Sequence, residues 1–104
     1  MYVSIWRFRI GSANRTRFEE AYGPDGDWAR LFRRQPGFVG TELLREEEAD
    51  ADGTAAYLTI DRWRARSDWL DFQDAFGDDY RALDRACEEL TAAEERIGGF
   101  TATD

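Results

Sequence analysis

The sequence has no histidine, no lysine and a single cysteine, Cys87, among its 104 residues. Without histidine the commonest imidazole metal ligand is missing, and one thiol cannot build a Cys-based zinc site. No structural metal and no haem are therefore expected. With one cysteine no intrachain disulfide can form, which fits a reducing compartment and a cytoplasmic location. Long hydrophobic runs are also missing. Nothing approaches the roughly 20 apolar residues that span a bilayer, and the first segment carries arginines where a signal peptide needs an unbroken apolar core. Positive charge is scarce, and the formal net charge is −8. All of the basic residues are Arg, interleaved with acids, so no basic patch is left to meet a phosphate backbone or an anionic membrane. The exclusive use of Arg reflects coding bias and carries no functional signal. Glycine-rich phosphate loops of the P-loop or dinucleotide type are absent.

Aromatic residues are abundant. Four Trp, four Tyr and seven Phe make up 14% of the chain. A chain of 104 residues is one domain, 1–104, with a modest core. So many large rings are hard to hide in a monomer of this size. They point to a second chain that covers them, or to a ligand pocket that they line.

Period-two alternation of β-branched and aromatic residues predicts a strand at 2–10, with apolar content on both faces. Phe18, Ala21 and Tyr22 fall at helical spacing, with Ser12 or Asn14 as the expected cap. Gly23-Pro24-Asp25-Gly26 interrupts that helix, because Pro lacks an N–H and Gly loosens the backbone. Trp28, Leu31 and Phe32 resume the spacing, and Gln35-Pro36-Gly37 ends it. Strands are predicted at 38–45 and 55–63, joined through an acidic stretch ending in Asp52-Gly53, a hairpin-turn signal. Ser67 is the expected cap of a long helix with Trp69, Leu70, Phe72, Phe76, Tyr80, Leu83, Ala86, Cys87 and Leu90 on its apolar side and a kink at Gly77. Thr91-Ala92-Ala93-Glu94 reads either as a capping box or as the turn into a last strand; the second is preferred, with the strand at about 95–101. The order β-α-β-β-α-β is the ferredoxin-like pattern of an α+β domain with a four-stranded antiparallel sheet. Helices on one side leave the other sheet face bare. The two-faced apolar pattern of 2–10 and 55–63 predicts that a second copy covers it, as a homodimer.

Together these segments resemble the antibiotic-biosynthesis-monooxygenase (ABM) family of dimeric α/β barrels. The resemblance is carried by Gln35-Pro36-Gly37-Phe38, by Gly40-Thr41-Glu42-Leu43-Leu44-Arg45, and by Tyr57-Leu58-Thr59-Ile60-Asp61-Arg62-Trp63 followed by a helix with Trp69 and Phe72. It implies two sheets paired face to face as a dimeric barrel, with a small pocket between sheet and helices in each subunit. It also implies a cofactor-independent oxygenase of aromatic, polyketide- or quinol-like molecules. The haem-degrading branch is excluded by the lack of His and of an Asn on the first strand, where Trp6 stands. Trp63 alone remains of that constellation.

Trp63 is the first candidate: it either stacks on a flat substrate or plugs the core where strand meets helix. Asp61, in an apolar strand, is either a general base with a raised pKa or half of an ion pair with Arg7 or Arg45. Tyr57 is the second catalytic candidate; Tyr57, Tyr22 and Tyr80 can donate hydrogen bonds to a substrate oxygen. Tyr57, Trp63 and Trp6 are expected to line the pocket, with Phe18, Tyr22, Phe72 and Phe76 as its helix-side walls. Arg7, Arg9 and Arg45 could stabilise an oxyanion. Gln73 and Asn14 could orient a substrate but read as ordinary surface residues, and Cys87 reads as an inert buried thiol. Two other functions share this fold: a non-catalytic binding or accessory dimer, and an isomerase or cyclase. A charged group beside Trp63 in an open pocket favours an enzyme. A filled, wholly apolar interior favours the accessory role.

Overall fold

Alternation at the N-terminus builds strand β1, Tyr2–Gly11, in the computed structural model, which describes residues 1–47 and 53–103. A single 3₁₀ turn, Ser12–Asn14, leads into α1, Arg15–Tyr22, and after the Gly-Pro-Asp-Gly interruption into α2, Asp27–Phe32. Strands β2, Phe38–Arg45, and β3, Thr54–Trp63, follow. The long helix α3, Arg66–Cys87, a 3₁₀ turn at Glu88–Leu90 and strand β4, Ala93–Thr101, complete the chain. The sheet order is β2-β3-β1-β4, with every neighbouring pair antiparallel. This is the expected ferredoxin-like α+β arrangement.

Several local details differ from the sequence reading. Neither Ser12 nor Asn14 caps α1 through its side chain; Ser12 is drawn into the 3₁₀ turn, and the Asn14 amide donates to the Glu89 carbonyl at 3.2 Å. Ser67 does not cap α3, which starts one residue earlier. There the Asp68 carboxylate accepts the Ala65 N–H at 3.1 Å, so the cap reaches back from inside the first turn. The kink falls at Phe76 (φ −123°, ψ 21°), one residue before Gly77. Thr91-Ala92-Ala93-Glu94 is the entry to β4, which begins two residues before the expected start. Asp52 of the expected turn lies outside the described residues; Gly53 has the positive φ of +73° that hairpin turns demand.

Parity on the two central strands sorts the side chains. Tyr2, Ser4, Trp6, Phe8 and Ile10 of β1 and Ala55, Tyr57, Thr59, Asp61 and Trp63 of β3 share the helix-covered face. That face meets a continuous layer of rings. Phe18 stacks on Tyr22 at 4.3 Å, Tyr22 contacts Trp28 at 5.8 Å, and Phe32 touches Trp28, Trp63 and Phe72 at 5.9, 5.5 and 5.1 Å. Val3, Ile5, Leu58 and Ile60 lie on the opposite face. They are joined there by Leu44 and Phe100, exposed to 41% and 46%, although no helix covers them. Arg7 pairs with Glu46 at 2.8 Å and Arg62 with Glu42 at 3.0 Å on that outer face.

Gly37 fixes the α2–β2 corner. Its φ is +100°, and an added Cβ would sit 2.3 Å from the Asp68 carboxyl carbon. Any side chain there meets both a disfavoured backbone and the group that caps α3. Gly37→Ala is expected to cost about 1–3 kcal/mol of unfolding free energy in urea titrations, where a surface Gly→Ala change would be near neutral.

Candidate active site

The helix-side sheet surface is not filled completely. Rings of this size, set at angles to one another, leave space where β1, β3 and β4 face α2 and α3. One cavity of about 100 Å³ is bounded by Trp6, Phe8, Tyr22, Trp28, Phe32 and Tyr80, with polar groups from Thr41, Thr59, Asp61, Asp84 and Glu94. An adjoining cavity of about 260 Å³ shares Trp6, Phe32, Asp61 and Tyr80 with it and adds Ser4, Trp63, Trp69, Phe72, Gln73 and Arg96.

Asp61 is common to both spaces. It is 8% exposed and sits on the central strand β3, opposite Thr41 of β2. The Thr41 hydroxyl donates to its Oδ1 at 2.7 Å. Burial lifts its carboxyl pKa to about 6, and the Thr41 bond holds the rise back. The ion pairs expected for Asp61 are not what the fold provides. Arg7 points to the other sheet face and pairs with Glu46, and the hydrogen-bond partner of Asp61 is a neutral hydroxyl. Burial thus raises the proton affinity of this carboxylate toward neutrality.

Trp63 both plugs and lines. It has no exposed surface and rests on Phe32, Phe38 and Phe72, yet one edge borders the larger cavity. Its indole N–H is buried with no hydrogen-bond partner. Trp6 borders both cavities, Tyr22 the smaller and Phe72 the larger. Burial raises the Tyr22 phenol well above its ordinary range.

The fold does not bring Tyr57 to these cavities. Its hydroxyl donates to Glu19 at 2.5 Å and accepts from Arg15 at 3.4 Å, while its ring packs on Phe18. Period two puts it on the right face, but four residues along β3 from Asp61 move it under α1. Phe18 is likewise fully buried beneath α1, and Phe76 stacks on Phe72 at 5.6 Å without bordering either space. Thr41 and Arg96, which the sequence did not single out, reach the site, and Gln73, read as a surface residue that could orient a substrate, is exposed but borders the larger cavity. Thr41 pairs across the β2–β3 ladder with Asp61, a register that only strand pairing can set. Tyr80, a hydrogen-bond candidate from sequence, borders both cavities. Its pKa is pushed up to about 12 by burial and by Asp84, Glu94 and Asp61, with Arg96 acting in the opposite sense. It therefore stays protonated, a donor at neutral pH.

A cavity lined by rings around a few polar groups has the make-up of pockets that take small molecules. No protein-family model and no curated protein matches the sequence. Solved structures do. SnoaB, a cofactor-independent oxygenase from Streptomyces nogalater, is 25% identical, with a TM-score of 0.64 over 99% of this chain and 94% of that one. A monooxygenase from the gene ActVA-Orf6 of Streptomyces coelicolor, solved with Nanaomycin D, is 18% identical, with a TM-score of 0.64 over 99% and 88%. A Bacillus cereus protein assigned to the antibiotic biosynthesis monooxygenases is 11% identical, with a TM-score of 0.69 over 99% and 93%. Over nearly its whole length the chain has the fold of these ABM proteins, as the sequence resemblance implied. Among the described residues no helix is long and apolar enough to cross a membrane.

Burial of Asp61 has a measurable linkage. Its folded pKa lies above the unfolded value of 3.8, so the folded state binds more protons between about pH 4 and 6. The fold therefore loses stability as pH rises through that window and stays lower above it. Asp61→Asn keeps an acceptor for Thr41 and removes the charge. It is expected to raise stability at pH 7 by about 1–3 kcal/mol and to flatten the pH 4–6 slope in urea unfolding.

Proposed function

We propose that this protein is a cofactor-independent monooxygenase of a flat, hydroxylated aromatic ketone of the anthrone or quinol type. The observation that carries this reading is Asp61, a carboxylate with a near-neutral pKa, bordering the same cavity as Trp63. The similarity to SnoaB, a cofactor-independent oxygenase, and to a monooxygenase that binds Nanaomycin D supports the chemistry and the ligand class.

In this chemistry the substrate supplies its own electrons. Asp61 takes a proton from the activated ring CH₂ or phenol. The resulting enolate is electron-rich enough to reduce O₂, and a C–O bond forms. Cleavage of the O–O bond and loss of water leave a new ring carbonyl, so CH₂ and O₂ become C=O and H₂O. The protein's tasks are to hold the ring, to accept one proton, and to keep solvent away from the anion. Half-buried Trp6 offers a ring face, backed by the fully buried Trp63 and Phe72, Asp61 the base, and protonated Tyr80 a hydrogen bond to a substrate oxygen. Tyr57 supports α1 through Glu19 and Arg15 instead.

Such an enzyme would work in the cytoplasm as a homodimer, each copy covering the other's outer sheet face. Val3, Ile5, Leu44, Leu58, Ile60 and Phe100 supply the apolar surface that such a pairing would bury.

The pH profile tests the base. With Asp61 acting in its ionised form, kcat/KM for an anthrone should fall tenfold per pH unit below about 6. Asp61→Asn should lower it about 10²–10⁴-fold without weakening ligand binding to the same degree. Activity unchanged in that variant would overturn the assignment, and ligand binding with no oxygen uptake would mark an accessory binding protein instead. Light scattering at micromolar concentration should give twice the 12.0 kDa chain mass. Ile60→Asp should shift the population to monomer, and a wild-type monomer would refute the sheet-face pairing.

A further inference from the structure

The smaller cavity is lined by acceptors and has no cation of its own. Asp61 and Thr59 border it from β3, Asp84 from α3 and Glu94 from β4. Among the described residues no arginine borders this space; Arg96, exposed on β4, borders the larger cavity instead. Nor does Asp61, Asp84 or Glu94 make an ion pair with any described residue. Burial, followed by the charges of Asp84 and Glu88, holds the Glu94 carboxyl above its ordinary range. After burial, Asp84, Glu94 and Asp61 all push the Tyr80 phenol up, so three negative charges reach one ring. Like charges around a single space repel, and a cation between them removes that cost.

Thr59 gives an independent sign. It is 5% exposed, it borders the cavity, and its hydroxyl makes no hydrogen bond with any described residue. Packing does not seal this oxygen as it seals the Trp28 and Trp63 N–H groups, so an entering donor can reach it. Buried hydroxyls are ordinarily satisfied, and this one is left to a group from outside. The walls of the space are rings. Trp6 and Tyr80 are only half-buried, and Trp28 meets Tyr80 at 65°, so neighbouring rings stand as walls of a box. The negative face of an aromatic ring attracts a cation. The cavity of about 100 Å³ is too small for a ring system. At roughly 30 Å³ per water-sized group it takes about three such groups, the size of an amino group with its nearest carbons.

We propose that the smaller cavity binds the protonated amino group of a small molecule. Its N–H donors meet the Thr59 hydroxyl and the carboxylates of Asp84 and Glu94. Its charge lies against Trp6 and Tyr80, and Asp61 adds a third negative charge from the sheet. The net charge of −8 draws such a ligand toward the protein. The two cavities adjoin, with Trp6, Asp61 and Tyr80 bordering both. The amine therefore fits either as a substituent of a ring held next door or as a separate molecule. The inference stands without the oxygenase reading; joined to it, it adds an amino group to the substrate class.

Calorimetric titration with a matched pair of ligands tests this. The wild type would be titrated at neutral pH with 2-(aminomethyl)anthraquinone, with 2-(hydroxymethyl)anthraquinone and with dimethylammonium. The amine should bind about tenfold more tightly than the alcohol, the gain expected of one well-placed cation on a ring. Added salt should shrink that preference. The double variant Asp84→Asn, Glu94→Gln should lose most of it and bind the alcohol as before. Both side chains are exposed, so the fold should tolerate the change, and thermal unfolding checks it. Binding of dimethylammonium would mark a free amine as the ligand, and binding of the ring-linked amine alone would mark a substituent of a larger substrate. Equal affinity for amine and alcohol, or a preference that survives in the double variant, would overturn the cation site and leave the oxygenase reading untouched. Failure of all three ligands to bind would also overturn it, while the pH profile of oxygen uptake still tests Asp61 separately.

Discussion

The layer of aromatic rings between one sheet face and its helices is the constraint on which the rest of this protein depends. A small domain must bury enough apolar surface to offset the entropy of ordering its chain. Here the rings supply it, with Phe8, Phe18, Tyr22, Trp28, Phe32, Trp63 and Phe72 in edge and stacked contacts. Large planar side chains bury much area per residue but tile poorly around a twisted sheet. The same choice that stabilises the core therefore leaves rigid-walled space inside it. The pocket is a consequence of how the fold is held together.

A carboxylate in that setting acquires its chemistry from its surroundings. Asp61 sits in the ladder where Thr41 is its directly opposed neighbour, so one neutral hydrogen bond is what it receives. A guanidinium in that place would have lowered its pKa and spent its charge. The cations of β1 and β3, Arg7, Arg9 and Arg62, are turned by strand parity to the outer face, where Arg7 pairs with Glu46 and Arg62 with Glu42. The sheet thus separates a face of compensated charge from a face with an uncompensated acid. The stability lost by burying Asp61 and the proton affinity gained are the same free energy seen from two sides.

Much of the fold was legible in the residues because local physics repeats. Alternation set the strands, three- and four-residue spacing set the helices, and Gly-Pro pairs set the breaks. Parity alone placed Tyr57, Asp61 and Trp63 on one face, and that placement holds. Parity says nothing about distance along the strand from the helix that covers it. For that reason Tyr57 came to lie under α1 with Glu19 and Arg15, while Asp61 and Trp63 came to border open space. Caps were legible only where the side chain acts on its own turn. Asp68 reaches back to Ala65, and Ser67 stands idle beside it as a capping residue.

By itself the sequence determined the class of the protein: an α+β domain of one sheet, rich in rings, without the His or Cys pairs of a metal site, and with Asp61 and Trp63 on a shared face. These follow from composition and from periods of two and 3.6 residues, which are properties of the chain alone. Only the tertiary structure decided the site. The β2–β3 register gave Asp61 its Thr41 partner, and the packing of α2 and α3 opened the cavities. The edge pairing of β4 with β1 carried Arg96, 35 positions beyond Asp61 in sequence, to the same space. Those relations depend on which strands become neighbours and in what alignment, and that is fixed when the core closes, because no local pattern encodes a contact between residues so far apart in the chain.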